Sequence, residues 1–220
     1  DRATELEKTL NLIEEQYEKI PEIITPPNLQ PKNKDEEEEI IEGVIGIIID
    51  DFGYRNDKVS DGFLKLNAKM TYAVIPGHSY SSLFGRKAVD AGYEVVVHMP
   101  LENTGKTFGE EEFVLLTSMK EDEMIKRLNK ALDEIPTAIG MNNHQGSKAS
   151  ADSSVVISIA KVIKERNLFF IDSRTTAESI IESTMESLNI PTARRNVFLD
   201  NDDEEEKIIA QLMELAQKAS

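Results

Sequence analysis

Six short apolar runs, each stopping abruptly at polar residues, set the strongest limit on how this chain can fold. They end near Asp50, Pro76, Pro100, Asn142, Asp172 and Asp200. The first, Ile47-Ile48-Ile49, is apolar and β-branched throughout, and it stops at Asp50-Asp51-Phe52-Gly53. Unbroken runs of this kind suit strands buried on both faces, which occur mainly in parallel α/β sheets. Amphipathic stretches lie between the runs, among them 81–91, 120–134, 153–166 and 176–188, and a last helical stretch covers roughly 203–218. Strand–helix alternation at this spacing predicts an α/β fold of parallel βαβ units. Six or seven units fit. A reduced (β/α) barrel is therefore preferred over an open doubly wound sheet, although periodicity alone does not separate the two. The segment 103–116, with two glycines and three consecutive acids, predicts a loop or hairpin insertion.

A chain of 220 residues holds one domain of barrel size with some left over. In residues 1–20, Leu6, Leu10, Ile13, Tyr17 and Ile20 alternate spacings of four and three, which is a coiled-coil seam. Two heptads are too few to stand alone in water. This N-terminal helix is expected either to pack on its own domain or to pair with another helix in self-association. Residues 21–31 hold four of the eight prolines and 32–42 are highly charged, so 21–41 reads as an acidic, extended linker. The domain proper is expected over 42–220. Net charge is −16, which excludes a nucleic-acid backbone as partner. Residues 1–42 carry 13 acids against 5 bases, so half of that excess lies outside the expected barrel. With no cysteine, there is neither a disulfide framework nor a thiolate metal site. No stretch approaches the ~20 apolar residues that cross a bilayer. No signal peptide is visible, yet the chain begins with Asp1 and not Met, so removal of a leader or anchor stays open.

Carboxyl ends of parallel strands are where α/β enzymes place their chemistry. Adjacent side chains on a strand point to opposite sides, so Asp50 and Asp51 reach one site only if the strand ends there. Alone, the pair reads equally well as a strand followed by an Asx turn or helix cap. The histidines decide. There are three, and each falls just after a strand-like run: His78 after 72–77, His98 at the end of 93–97, and His144 after 138–143. A lone histidine at a strand end is more often structural, but several at one end of a sheet beside Asp50-Asp51 point to a site. Two imidazoles and one carboxylate leave open positions on a zinc-like ion, the pattern of a catalytic metal. Such an ion brings the pKa of bound water toward ~7, and the second carboxylate can then act as general base. Asp172 and Arg174, at the end of another run, can orient the base, hold substrate, or form a salt-bridged loop. Gly146-Ser147 can offer backbone N–H groups to an oxyanion, or simply turn the chain into a helix.

Taken in order, Asp50-Asp51-Phe52-Gly53, His98-Met99-Pro100-Leu101-Glu102, Asn142-Asn143-His144-Gln145-Gly146-Ser147, Asp172-Ser173-Arg174-Thr175 and Val197-Phe198-Leu199-Asp200 resemble the motifs of the divergent polysaccharide deacetylase family. The resemblance runs from about Gly43 to the C-terminus. That family is similar in fold to the larger set of metal-dependent polysaccharide deacetylases, which are distorted (β/α) barrels. The resemblance implies Asp51 as the ligating carboxylate, Asp50 as the base and His98 as one metal ligand. His144 is assigned as the other, because its motif ends a different strand at the same face. Asp172 and Arg174 are expected to assist catalysis, and Asn143, Gly146, Ser147 and Arg195 to contact substrate. The larger set takes both histidines from one H-x-x-x-H segment and uses a late histidine as general acid. This chain has no such segment and no histidine after residue 144. His78 matches no motif. The implied activity is removal of N-acetyl groups from a carbohydrate by a hydrolase holding a divalent metal, zinc foremost. The implied location is outside the cytoplasm, in the cell envelope. A non-catalytic glycan-binding or envelope scaffold is the rival expectation, and a hydrolase of another small amide or ester is the third.

Overall fold

Apolar runs too short for helices, separated by capped amphipathic stretches, build a parallel sheet flanked by helices. The computed structural model describes residues 43–105 and 110–219. The N-terminal helix and acidic linker expected over 1–41, and any self-association through that helix, lie outside the described residues. The strands are β1 (Ile48–Phe52), β2 (Thr71–Val74), β3 (Glu94–Leu101), β4 (Gly140–Gln145), β5 (Phe169–Asp172) and β6 (Thr192–Arg194). Their spatial order is their chain order, and every neighbouring pair is parallel. A doubly wound sheet would reverse its order at a switch point. Sequential order is instead the winding of a (β/α) barrel. Among the described residues no ladder joins β6 back to β1, so the barrel is open on that side.

The helices are α1 (Lys58–Phe63), α2 (Ser81–Asp90), α3 (Glu121–Glu134), α4 (Ser153–Glu165), α5 (Ile181–Ser187) and α6 (Glu205–Ala219). Among the described residues none is long and apolar enough to cross a membrane. Their starts follow from local chemistry. Asp57 accepts from the backbone N–H groups of Val59 and Ser60, while the Ser60 hydroxyl answers the N–H of Asp57, a reciprocal cap for α1. Asp152 caps α4 through the N–H groups of Ser154 and Val155. Helix α4 is apolar along most of its length, burying Val155, Val156, Ile159, Val162 and Ile163, and it packs on α3, which buries Met124 and Leu128. Each such side chain contributes roughly 1.5–3 kcal/mol on burial. The sheet core is Tyr72 and Val74 on β2 and Val95, Val96, Val97, Met99 and Leu101 on β3. Consecutive buried valines confirm that this strand is covered on both faces.

Two segments differ from what the sequence predicts. The apolar run ending at Asp200 is not a strand. The sixth strand is the earlier, polar Thr192–Arg194, paired to Phe170–Asp172 at the sheet edge, and Phe198 is 46% exposed. Three apolar residues between polar ones imitate a strand, whereas edge position tolerates polar residues and is set by pairing. The insertion at 103–116 is partly built into the core. Leu115 donates its N–H to Pro100 O and accepts from Glu102 N, which buries Phe113, Val114 and Leu115 against the end of β3.

Gly140 is the register partner of Phe169, and a Cβ added there would lie 2.5 Å from the Phe169 ring. Gly140→Ala is therefore expected to destabilise the domain by about 1–3 kcal/mol through overpacking between β4 and β5. Thermal unfolding followed by circular dichroism measures it, and an unchanged Tm would mean that the half-buried ring swings aside.

Candidate metal centre

Asp50 and Asp51 meet one site because β1 breaks its register there. Pairing with β2 shifts between Ile49 and Phe52, and Asp51 adopts φ 66, in the left-handed region. An extra residue in a strand re-aims the side chains around it. Phe52 anchors the break, its ring stacked on Phe84 with centroids 4.1 Å apart and edge-on to Tyr72 at 4.9 Å.

The histidines converge through register. His98 pairs across the ladder with Asn142, and Pro100 with His144. Cross-strand partners share a face, as do residues two apart on one strand, so His98, Asn142 and His144 all point the same way. His144 Nδ1 lies 3.1 Å from Asp51 Oδ1 and 3.1 Å from His98 Nε2, and His98 Nε2 lies 3.4 Å from Asp51 Oδ1. A tetrahedral ion with bonds of about 2.0–2.1 Å holds its ligand atoms roughly 3.3 Å apart. The triangle thus has the dimensions of one face of a metal's coordination shell, and these three residues form the cluster able to hold an ion.

Electrostatics agree with the geometry. Hydrogen bonds from His144 and then His98 hold the Asp51 carboxyl well below the usual carboxylate range. Burial, His98 being 3% exposed, works against its positive form, but the hydrogen bond to Asp51 and the charges of Asp50 and Asp51 prevail and raise its pKa. Without metal, His98 is inclined to hold a proton where a cation would sit.

Asn142, which sequence reasoning did not single out as a site residue, organises both halves of the site. It donates Nδ2 to Asp50 Oδ1 at 2.9 Å, and its Oδ1 lies 2.7 Å from His98 Nδ1. An ionised carboxylate only accepts, so the amide can point one way. His98 Nδ1 then carries the proton, and Nε2 presents its lone pair to the triangle. This is the outer-shell orientation that metal-ligating histidines require.

His144 is arranged differently. Gly146 N and Ser147 N both donate to Asn103 Oδ1, at 3.0 and 3.3 Å, and Asn103 Nδ2 donates to Gln145 Oε1 at 2.6 Å. That leaves Gln145 Nε2 facing His144 Nε2 at 3.1 Å, which favours a proton on Nδ1. Ligation through Nδ1 requires the opposite tautomer. Gln145→Glu supplies an acceptor to His144 Nε2 while still accepting from Asn103, and is expected to tighten metal binding about 10-fold or more. A titration against a chromogenic chelator reads this. Unchanged or weaker affinity would show that His144 does not ligate through Nδ1.

The remaining expected site residues are placed as follows. Asn143 points to the other face of β4, accepting from Ser173 N at 2.8 Å and donating to Gln145 O at 2.9 Å. The N–H groups of Gly146 and Ser147 are committed to Asn103, so neither is left for an oxyanion. Asp172 is fully buried, and its two oxygens accept from Arg174 N at 2.8 Å and the Ser179 hydroxyl at 2.7 Å, which makes it a fastener of its own loop. That bonding also explains why α5 begins at Ile181 and not near 176. Arg195 donates to Ser173 O at 2.7 Å and Arg174 O at 3.0 Å and lies over the Phe198 ring. His78 sits outside the triangle. Its Nε2 lies 3.0 Å from Glu110 Oε1, which also accepts from Tyr54 OH at 2.7 Å. Burial and the Glu110 bond push the Tyr54 hydroxyl up, with a smaller contribution from the charge of Asp51.

The divergent polysaccharide deacetylase model matches residues 47–220. The uncharacterized protein YibQ of Escherichia coli (strain K12) is 29% identical over 172 residues, covering 78% of this chain and 53% of that protein. An uncharacterized protein of Haemophilus influenzae is 30% identical over 160 residues, covering 73% of this chain and 56% of that protein. The chain thus spans about half the length of the curated relatives it matches. The crystal structure of uncharacterized protein ATU2773 from Agrobacterium tumefaciens C58 shares the fold, with a TM-score of 0.72 at 21% identity over 79% of this chain and 71% of that one. The matched span runs from the first strand through the last helix and takes in every residue of the metal triangle and its supports, and the chain belongs to the divergent polysaccharide deacetylase family.

Proposed function

We propose that this domain is a metal-dependent hydrolase that removes N-acetyl groups from a glycan of the cell envelope, outside the cytoplasm. The observation that carries the reading is the triangle of Asp51, His98 and His144 with a second carboxylate, Asp50, held beside it through Asn142. Asp51, His98 and His144 would hold the ion, and zinc suits two imidazoles and one carboxylate. When bound, such an ion supplies Lewis acidity toward the acetyl carbonyl and makes water acidic enough to ionise near neutral pH. The chain's own part is proton management. Asp50 keeps Oδ1 on Asn142 Nδ2, leaving its other oxygen to take the proton from the attacking water. The same carboxyl then returns that proton to the leaving amine. Asp172 has no share in this, since both its oxygens are occupied.

The test is acetate release from N-acetylated chito-oligosaccharides and peptidoglycan fragments, with and without added zinc. Zinc-dependent release is the expected result. One observation favours a non-catalytic, glycan-binding role: residues 145–220 hold no histidine, so this stretch of the domain supplies no imidazole acid. Glycan binding with no release at any metal concentration would establish that role. Turnover of simple esters or amides, but not of glycans, would establish a hydrolase of another substrate class.

A further inference from the structure

The amide of Gln145 is not free to choose its orientation. Its backbone is fixed, with φ 57 in the left-handed region and a carbonyl that accepts from Asn143 Nδ2 at 2.9 Å. Such a conformation persists where the surroundings impose it. The side chain is the middle member of a run of hydrogen bonds whose direction is dictated from the loop after β4. Gly146 N and Ser147 N are backbone groups and can only donate. Both meet Asn103 Oδ1, and the Ser147 hydroxyl adds a third contact to that oxygen at 3.4 Å while accepting from Thr104 N at 3.0 Å. Asn103 therefore turns Nδ2 toward Gln145. Gln145 answers with Oε1, and its Nε2 is left facing His144.

The far end of this run conflicts with metal ligation. A neutral imidazole that gives Nδ1 to an ion carries its proton on Nε2. In His144 that proton would point at the Gln145 amide hydrogens across 3.1 Å. On the other side of the ring, Asp51 Oδ1 stands 3.1 Å from Nδ1 and accepts, so both neighbours favour the tautomer with the proton on Nδ1. Turning Gln145 over only moves the conflict to Asn103 Nδ2. Turning Asn103 as well moves it to Gly146 N and Ser147 N. Two amides cannot join donors at one end to a donor at the other. One donor-to-donor meeting is unavoidable.

We infer that Asn103 is a positioning residue that sets the metal affinity of the site. It is not one of the three ligands and acts on His144 through Gln145. This rests on His144 ligating through Nδ1, as in the reading above, and acetate release has no part in it. Metal loading is thereby coupled to the loop after β4. The cheapest way to load the triangle is to break the single bond between Asn103 and Gln145, because turning Asn103 gives up its contacts with Gly146 N, Ser147 N and the Ser147 hydroxyl. A carboxylate at position 103 removes the conflict, since it only accepts. One oxygen keeps Gly146 N and Ser147 N, and the other receives Gln145 Nε2. Gln145 Oε1 then takes the Nε2 proton of His144, the outer-shell contact that a ligating imidazole requires.

The probe is zinc alone, titrated against a chromogenic chelator. Asn103→Asp is expected to tighten binding about 10-fold, the low end of the range for outer-shell changes. Unchanged or weaker affinity would overturn the inference. Added negative charge also attracts zinc, and Gln145→Glu separates the two causes. Either substitution by itself gives His144 Nε2 its acceptor, so the double variant should gain no more than the better single one. Gains that stack would mean plain electrostatic attraction and would sink the relay. Nitrogen NMR of the metal-free parent protein adds a measurement that needs no variant at position 103 to fold. At about pH 8, above the ordinary histidine value near 6.5, the His144 proton should sit on Nδ1, the signal being assigned by its loss in His144→Ala. A proton on Nε2 would overturn the inference. His144→Ala also keeps this failure apart from failure of the ligand set. Unchanged zinc affinity in His144→Ala removes His144 as a ligand and the relay with it. Weakened affinity there, with no effect of Asn103→Asp, removes the relay alone.

Discussion

Replacing Asp50 with Asn will lower zinc-dependent acetate release by about 10²- to 10⁴-fold, the usual contribution of a positioned general base, while zinc stays bound as tightly as before. The substitution keeps size and shape. The side-chain oxygen of the new residue can still accept from Asn142 Nδ2, so the bridge to His98 Nδ1 survives and the imidazole keeps its tautomer. What is lost is the ability to take a proton. Asp51 provides the contrast. It lies 3.1 Å from His144 Nδ1 and 3.4 Å from His98 Nε2, and its depressed pKa reflects those two imidazoles, His144 foremost. On the proposed mechanism the adjacent carboxylates divide ligation and proton transfer between them. Kinetics paired with a chelator titration check the division. Retained activity in Asp50→Asn would remove it as the base, and lost zinc affinity would show that the two roles are not separate.

The sequence reveals strands where burial leaves continuous apolar runs, and β1 to β5 follow those runs. It misleads at Val197-Phe198-Leu199, where the residues look right but no neighbouring strand pairs with them. Site legibility follows a similar division. Asp50-Asp51, His98 and His144 stand out because charged or ligating side chains interrupt apolar runs at one end of a parallel sheet. Asn142 does not stand out, since an amide in a strand carries no periodic signal. Its importance comes from sitting opposite His98 in the ladder, a register that only folding supplies. Asp172 shows the reverse error. Its apolar-then-acid break matches that of Asp50, yet local N–H and hydroxyl donors consume its charge. The signal available was Ser179, seven residues on and near the start of a predicted helix, where hydroxyls commonly bond nearby backbone and carboxylates.

His98→Ala will weaken zinc binding by more than about 100-fold, exceeding the usual cost of losing an outer-shell support, and will also flatten the pH dependence of metal stabilisation. The sign follows from the metal-free triangle. His98 has a raised pKa, so its contribution to stability is full below the ordinary histidine value near 6.5 and is lost as pH rises through the folded value. Asp51 has a depressed pKa, so its contribution is present above about 3.9 and lost only as pH falls toward its folded value. Between those limits the metal-free site is held together by a proton on the His98 imidazole, which faces the Asp51 carboxylate. Zinc binds only a deprotonated imidazole and must displace that proton. The gain in Tm on adding zinc will therefore be small near pH 5.5 and grow toward pH 8, as the proton-held form weakens and the metal-held form strengthens. Scanning calorimetry at matched free zinc across that range measures it. His98→Ala should show a small gain at every pH. A zinc-induced gain in the parent protein that shrinks with rising pH would mean that the imidazoles of His98 and His144 do not ligate the ion.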